Sequence, residues 1–159
     1  MTDGSLTFDE NGVEYKTFNA KDGQGIQLLH KAGIIPAIIT KRHNGTVQHR
    51  AKVLGITEFH EGVEKKTDAL EEIAKKYNLA LAQIGYMGDD VPDVCVLKRV
   101  GLACCPADAI DEVKKEAIFI TKKGGGKGAV REVTDFILKA QGYDLTELID
   151  QPNKAECGT

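Results

Sequence analysis

The sequence lacks the features of a membrane protein, a secreted protein or a nucleic-acid-binding protein. No apolar run approaches the roughly 20 residues that a membrane-spanning helix needs, and no basic-then-apolar secretory leader is recognisable at the N-terminus. The net charge of −3 provides no excess of positive charge for nucleic acid or an anionic membrane surface. We therefore expect neither a nucleic acid nor a membrane as a partner.

The cysteines lack the spacing of a metal site. The four of them are Cys95, Cys104, Cys105 and Cys157. The adjacent pair Cys104-Cys105 is typical of a buried strand in which cysteine serves as a small apolar residue. Unpaired cysteines of this kind favour a reducing cytoplasm.

What the chain does contain is ordinary for one globular domain. It has 159 residues and a mass of 17.2 kDa, with 42% hydrophobic and 28% charged residues, which is enough for a real core. We assign residues 1–142 to a single domain and residues 143–159 to a polar, frayed C-terminal tail.

The first segment predicts a β-hairpin over residues 5–18. Asn11-Gly12 stands between two β-prone segments, and Asn-Gly is a strong signal for a tight turn between antiparallel strands.

After the hairpin, short apolar strands alternate with helices. Asp22 is predicted to cap the first helix, over Gly23–Lys31. Alternation of this kind predicts an α/β fold with a parallel sheet covered by helices on both faces. The predicted strands are 34–39, 56–60, 83–87, 102–105 and 118–121, and the predicted later helices are 46–54, 66–77, 93–100, 108–117 and 128–140.

An acidic motif follows the strand that ends at Met87. Asp89 and Asp90 are adjacent and Asp93 comes three residues later. Because like charges repel, clustering them stabilises a fold little unless a cation lies nearby. Mg²⁺ prefers one or two carboxylates together with phosphate oxygens, and ligands of open α/β sheets bind at the carboxyl ends of strands. A solvated acidic turn with Asp93 as a helix cap is the alternative.

Three further residues suit the binding of an anion. Thr40 directly follows a predicted strand, where its hydroxyl can donate to a phosphate oxygen, and Arg42 suits bidentate contact with phosphate or carboxylate. Lys66 begins a predicted helix, which is the unfavourable end of the helix dipole for a cation. A lysine in this position indicates a binding site if a carboxylate cluster lies opposite. Each residue alone also fits an ordinary surface or strand-end position.

A glycine-rich basic loop occupies residues 122–128 and opens the last predicted helix. Backbone N–H groups and lysines at a helix N-terminus form a reasonable anion site, although the Gly-Lys-Ser/Thr spacing of a P-loop is absent. A flexible connector is the alternative.

Taken in order, several segments resemble the haloacid dehalogenase superfamily, and within it the 3-deoxy-D-manno-octulosonate 8-phosphate (KDO 8-phosphate) phosphatase family. The resembling segments are 2–4, 16–26, 37–40, 62–66, 88–93 and 125–132. The resemblance implies a Rossmann-like fold without a separate cap domain, and a Mg²⁺-dependent cytoplasmic phosphatase acting on a sugar-acid phosphate in lipopolysaccharide precursor synthesis. It also implies a homotetramer assembled through the hairpin.

The resemblance assigns roles to individual residues. Thr40 resembles the phosphate-binding threonine of the family, and Lys66 resembles the lysine that neutralises phosphate and nucleophile. Asp89, with Asp90 or Asp93 beside it, resembles the Mg²⁺-binding motif. The segment containing Gly126, Lys127 and Arg131 resembles the part that closes over a neighbouring subunit's active site.

One departure concerns the turn after the second strand of the family. The chain has Thr40-Lys41-Arg42-His43 where the family usually has Thr-Gly-Arg-Ser, which leaves the substrate preference open. The 9-phosphate of a nonulosonic acid, or a related sugar-acid phosphate, is an alternative substrate.

The larger departure is the absence of the family's Asp-x-Asp-Gly strand, which carries the nucleophile. Thr2-Asp3-Gly4 matches a later Thr-Asp-Gly; in a rival register Asp3-Gly4 is the second half of Asp-x-Asp-Gly, and Met1 takes the place of the nucleophile. We therefore expect two neighbouring strands to lose a pairing partner, and we expect this chain not to turn over substrate. A non-catalytic oligomerisation domain, similar to that attached to some CMP-sialic acid synthetases, is the alternative function.

Overall fold

The computed structural model describes residues 1–151. The helices are α1 (Ala20–Lys31), α2 (Gly45–Val53), α3 (Lys66–Lys76), α4 (Val94–Leu97), α5 (Asp111–Lys114), α6 (Ala129–Ala140) and α7 (Leu145–Leu148). The strands are β1 (Thr7–Phe8), β2 (Glu14–Tyr15), β3 (Ala37–Ile39), β4 (Glu58–His60), β5 (Gly85–Met87), β6 (Leu102–Cys105) and β7 (Phe119–Ile120), with 3₁₀ turns over Leu81–Gln83 and Val91–Asp93.

The predicted hairpin forms, with strands shorter than expected. β1 and β2 pair antiparallel, and the Asp9 carboxylate holds the turn by accepting hydrogen bonds from the N–H groups of Asn11 and Val13, both at 2.9 Å. Leu6, Phe8, Val13 and Tyr15 each leave half or more of their surface exposed. The hairpin therefore projects an apolar surface into solvent.

The parallel strands form two separate sheets instead of one continuous sheet. β3 pairs with β4, and β5, β6 and β7 pair in that order, all parallel. Within residues 1–151 no strand pairs with the second edge of β3 or of β5. The expectation of two strands that lack a pairing partner is confirmed.

Helices cover the sheets because their apolar residues recur at helical spacing. On α3 the buried residues are Ala69, Leu70, Ile73 and Ala74. Helix α6 packs against α1, where a Cβ on Gly25 would lie 2.2 Å from Thr134 Oγ1. Glycine at this position lets the two helices approach. The predicted buried strand of Cys104 and Cys105 is confirmed, since both are at most 1% exposed.

The prediction that Asp22 caps α1 is wrong. The helix begins earlier, and Asn19 is its N-cap, accepting a hydrogen bond from the N–H of Lys21 at 2.8 Å. Asp22 is 1% exposed and accepts from the N–H of Arg131 at 2.9 Å. It thereby satisfies a free N–H in the first turn of α6, whose own N-cap is Gly128 and has no side chain to do so.

The prediction of a frayed tail from residue 143 is wrong for the part that the structure describes. Asp144 caps α7 by accepting hydrogen bonds from the N–H groups of Thr146 and Glu147. Leu148 is 1% exposed and packs with Leu28 and Leu138. The apolar contact made by Leu148 explains why this polar segment is ordered, and the remainder of the predicted tail, 152–159, lies outside the described residues.

Candidate phosphate and metal site

The acidic turn after β5 is organised by Asp93. This side chain is 3% exposed, and its Oδ2 accepts hydrogen bonds from the backbone N–H groups of Asp89 at 3.1 Å and Asp90 at 3.3 Å. Gly88 allows the turn to fold over it, because a Cβ there would lie 2.3 Å from Asp93 Cβ. The turn therefore closes around its third carboxylate.

Lys66 reaches this carboxylate from the start of α3. Its Nζ donates to Asp93 Oδ1 at 2.6 Å, and its side chain is 14% exposed. The hydroxyl of Tyr86 donates to the same oxygen at 2.6 Å. Burial acts to raise the pKa of Asp93, but the hydrogen bonds from Lys66 and Tyr86 outweigh it and hold the pKa below its usual value.

Asp89 is the carboxylate of the turn that protein groups leave free. No side chain or N–H group among residues 1–151 donates a hydrogen bond to its oxygens in the structure. Although the side chain reaches solvent, desolvation by surrounding atoms and the nearby Asp93 charge raise the pKa of Asp89. A carboxylate desolvated beside another carboxylate suits a bound cation.

The carboxylates fit Mg²⁺ only as a site that is completed by a phosphorylated ligand. Among the described residues, no group of three His, Cys, Asp or Glu side chains is arranged to hold a metal. Asp93 is already engaged by four donors, and Asp90 Oδ1 accepts from the N–H of Val91 at 2.8 Å. Mg²⁺ is commonly held by one or two carboxylates, waters and phosphate oxygens, a pattern that Asp89 and Asp90 match.

Thr40 follows β3 and is joined to the segment that leads to Lys66. Its N–H donates to the carbonyl of His60 at 2.8 Å, and its carbonyl accepts from the N–H of Val63 at 3.2 Å. The hydroxyl oxygen accepts from the N–H of Arg42 at 3.2 Å, so the hydroxyl proton stays available to donate.

The loop of residues 40–44 contacts the hairpin. Arg42 lies 3.6 Å from a carboxylate oxygen of Glu14 and is 62% exposed. His43 lies on the other side of the loop, with Nδ1 3.6 Å from Glu61.

The glycine-rich segment contacts other parts of its own chain. The N–H of Gly125 donates to Asp108 Oδ1 at 2.8 Å, and a Cβ on Gly126 would lie 2.8 Å from the backbone nitrogen of Asp3. Lys127 is exposed. The Asp108 carboxylate thus occupies one of the N–H groups that the sequence predicts to bind an anion.

No contact described within residues 1–151 joins Arg131 to Lys66 or to the carboxylates of the acidic turn. The Arg131 Nε donates to Asp135 Oδ1 at 2.6 Å, one helical turn away. A cleft at the start of α3 is lined by residues that include His60, Val63 and Glu64, but neither Lys66 nor Asp89 lines it. Lys66, Asp89, Asp90 and Asp93 therefore form the centre of the candidate site.

Sequence reasoning missed Tyr86, Glu14 and Asp108, which contact site residues. Tyr86 lies on a strand and reads as a core aromatic, and Glu14 lies in a hairpin 28 positions before Arg42. Only the alternation of side chains along β2, which directs Glu14 opposite to Val13 and Tyr15, offered a signal for one of them.

A family model described as haloacid dehalogenase-like hydrolase matches residues 56–132. The chain is 39% identical over 142 residues to 3-deoxy-D-manno-octulosonate 8-phosphate phosphatase KdsC of Escherichia coli K12, covering 89% of this chain and 76% of the relative. The chain belongs to the KDO 8-phosphate phosphatase family of haloacid dehalogenase-like hydrolases. It is also 40% identical over 141 residues to KdsC of Yersinia pestis, covering 89% and 75% of the two chains.

Solved structures of the family support the same assignment. The KDO 8-phosphate phosphatase of Moraxella catarrhalis, in complex with magnesium ion, phosphate ion and KDO, matches with a TM-score of 0.86 and 40% identity, over 89% of this chain and 81% of that one. The cobalt-bound Haemophilus influenzae enzyme matches with a TM-score of 0.87 and 35% identity, over 93% and 89%. The expected haloacid dehalogenase fold and divalent-metal chemistry of the family are confirmed.

Proposed function

We propose that this chain carries the phosphate- and metal-binding part of a Mg²⁺-dependent phosphatase that hydrolyses KDO 8-phosphate to KDO and phosphate. Its relatives are named for this substrate. The observation that carries the proposal is the exposed carboxylate of Asp89, which accepts no hydrogen bond among residues 1–151, in the same turn as the Asp93 carboxylate that holds Lys66 in place.

Asp89, with Asp90 beside it, would hold the metal. When bound, Mg²⁺ neutralises charge on the phosphoryl oxygens. The oxygens of Asp93 are engaged by four protein donors, so its role is to position Lys66 and the N–H groups of the turn.

Lys66 and Thr40 would bind the phosphoryl group. Phosphoryl transfer depends on positioning and on stabilisation of charge spread over the equatorial oxygens. Asp93 holds Lys66 through one of its three N–H bonds, which leaves two to donate. Because Asp93, which also accepts from Tyr86, fixes the ammonium before a ligand binds, little reorganisation is needed on binding.

The remaining site residues are proposed to contact the sugar acid. Arg42, Gly126, Lys127 and Arg131 belong to segments that resemble substrate-binding parts of the family. Arg131 contacts Asp135 within its own helix, so its role in a substrate site requires a neighbouring subunit or a change of side-chain conformation.

The hairpin supports the proposal of a homotetramer. Its four exposed apolar residues, Leu6, Phe8, Val13 and Tyr15, are the kind that an interface buries. No helix within residues 1–151 is long and apolar enough to cross a membrane. The unpaired Cys95, Cys104 and Cys105 fit the proposed cytoplasmic location.

Binding of inorganic phosphate to the 159-residue chain tests the site. We expect phosphate to bind in MgCl₂ and to bind much more weakly in EDTA, in Lys66→Ala and in Asp89→Asn. Lys65→Ala is the matched control, because Lys65 is the exposed neighbour of Lys66. Equal phosphate binding by Lys66→Ala and the parent chain would contradict the proposed site.

Activity tests the substrate. No residue of this chain is assigned as the attacking carboxylate, so we expect no phosphate release from KDO 8-phosphate, and Mg²⁺-dependent release by the 159 residues would refute this. A chain extended before Thr2 by the family's Asp-x-Asp-Gly strand should hydrolyse KDO 8-phosphate faster than a nonulosonate 9-phosphate. The reverse preference would make the named substrate wrong.

A further inference from the structure

The hairpin and the loop of residues 40–44 meet at one carboxylate, that of Glu14. We infer that Glu14 is a positioning residue that presents Arg42 to an anionic group of the substrate. The inference rests on the proposed function, because it concerns the same phosphorylated sugar acid.

Glu14 contacts three polar side chains. Its Oε1 accepts from Lys16 Nζ at 2.7 Å and lies 3.6 Å from Arg42 Nη1, while its Oε2 accepts from Asn44 Nδ2 at 2.8 Å. The side chains of Glu14 and Lys16 are 20% and 10% exposed. Lys16 holds the pKa of Glu14 below its usual value, so the carboxylate is ionised at neutral pH.

The loop is held at both ends and in its middle. Thr40 begins it at the end of β3 and accepts the N–H of Arg42. Asn44 ends it as the N-cap of α2, accepting from the N–H groups of Thr46 at 3.0 Å and Val47 at 3.1 Å. Glu14 binds the side chains of two loop residues, so it connects the hairpin to the segment that carries Thr40.

Arg42 keeps most of its hydrogen-bonding capacity. A guanidinium has five N–H donors in a planar fork, and the described contact to Glu14 involves only one terminal nitrogen at 3.6 Å. With 62% of its side chain exposed, Arg42 presents its other donors to solvent. A carboxylate or phosphate group fits such a fork in a bidentate manner.

Strand alternation places Glu14 between two surfaces. Val13 and Tyr15 expose their side chains, whereas Glu14 between them points to the loop, because successive side chains lie on opposite faces of a strand. Glu14 therefore contacts the loop from the face of the hairpin opposite to its exposed apolar side chains.

The experiment compares Glu14→Gln with Glu10→Gln in the 159-residue chain, with KDO 8-phosphate and MgCl₂ as the probe, because this ligand carries both the phosphoryl group and the sugar acid that Arg42 is proposed to contact. Glu10 is exposed in the hairpin turn. Glu14→Gln keeps the length of the side chain and one acceptor oxygen but removes the charge that holds Arg42. If the only effect of the Glu14 charge were to repel the anionic ligand, neutralising it would strengthen anion binding. Positioning predicts the opposite sign: a dissociation constant for KDO 8-phosphate raised about three- to tenfold by loss of an ordered contact, and no change in Glu10→Gln.

Amide hydrogen exchange of Arg42 and Thr46 supplies a readout that needs no ligand, because the Arg42 N–H donates to Thr40 and the Thr46 N–H donates to Asn44. We expect exchange on the order of tenfold faster in Glu14→Gln, because the loop opens locally more often. In an Arg42→Gln background, Glu14→Gln should weaken KDO 8-phosphate binding no further.

The two proposals fail in different ways. KDO 8-phosphate binding by Glu14→Gln that is equal to or tighter than that of the parent chain overturns the positioning role, and so does unchanged loop exchange. Absence of phosphate binding in the parent chain overturns the proposed function, and loop exchange then still decides whether Glu14 holds the loop of residues 40–44.

Discussion

At the scale of single residues, the site depends on a buried carboxylate with four donors. Asp93 accepts from Lys66, Tyr86 and two backbone N–H groups. A sequence shows three aspartates at suitable spacing, but it does not show which of them turns inward. Burial decided that, and burial depends on Gly88 and Tyr86 as much as on the aspartates.

We predict that Lys66→Met lowers the free energy of unfolding by about 3 kcal/mol at neutral pH, because removing one partner leaves the other as an uncompensated buried charge. Urea denaturation measures the change, and Lys65→Met serves as the control. Adding Asp93→Asn to Lys66→Met should recover part of the loss. A loss equal to that of Lys65→Met would contradict the role given to the ion pair.

A second buried carboxylate predicts how stability depends on pH. Glu58 is 4% exposed and accepts hydrogen bonds from Lys76 at 2.5 Å and Tyr77 at 2.7 Å. Burial acts to raise the pKa of Glu58, but these donors outweigh it and lower the pKa in the folded state. Its contribution is therefore present above the unfolded pKa of about 4.3 and is lost as pH falls through the lower folded value.

Glu58→Gln should therefore be less stable than the parent chain at pH 7, with a difference that shrinks toward pH 3. Chemical denaturation at a series of pH values measures it. Glu72→Gln on the exposed side of α3 should follow the parent profile. Parallel profiles for Glu58→Gln and the parent chain would show that the carboxylate has no such role.

At the scale of elements, the sequence predicted the order and type of most segments. Apolar runs with β-branched residues gave the parallel strands, and helical spacing gave α3 and α6. The errors occur where a distant contact decides. Asp22 is predicted to cap its own helix, but it accepts a hydrogen bond from an N–H group in the first turn of α6. The helix α7 depends on the burial of Leu148 beside Leu28, which is far away in sequence.

Two glycines at opposite ends of β5 make a matched pair of variants. Gly88→Ala would place a Cβ 2.3 Å from Asp93 Cβ and 2.6 Å from its Cγ, whereas Gly85→Ala meets nothing closer than 3.7 Å. We expect Gly88→Ala to reduce stability by about 1–3 kcal/mol through overpacking and to weaken Mg²⁺-dependent phosphate binding. Thermal unfolding and phosphate titration measure both effects. Equal behaviour of the two variants would mean that the turn does not need this close approach.

At the scale of the whole molecule, the exposed hairpin predicts assembly. In the proposed tetramer, Phe8→Lys places a charge in the interface and should yield a smaller species by light scattering. Glu10→Lys, in the turn of the same hairpin, should leave the mass unchanged. A parent chain that is monomeric at all concentrations would contradict the proposed assembly.

The two sheets also predict which backbone amides exchange rapidly. The backbone N–H groups of Thr40 and Gly88 donate to β4 and β6, respectively. Because backbone N–H groups alternate in direction along a strand, those of Ile38 and Tyr86 point to the same neighbouring strands. The N–H groups of Ile39 and Met87 point to the edges of β3 and β5 that lack a strand partner among residues 1–151. We expect their amides to exchange at least tenfold faster than those of Ile38 and Tyr86, and equal protection would reveal another partner at those edges.

The open edges of β3 and β5 have a consequence for handling this chain in solution. A row of unpaired N–H and C=O groups is a template for strands of other molecules, and Ile39 and Met87 add apolar side chains that are only half-buried. Concentrated samples of the 159-residue chain should accumulate intermolecular β-structure slowly, visible as rising thioflavin fluorescence, and a short peptide that occupies these edges should suppress it.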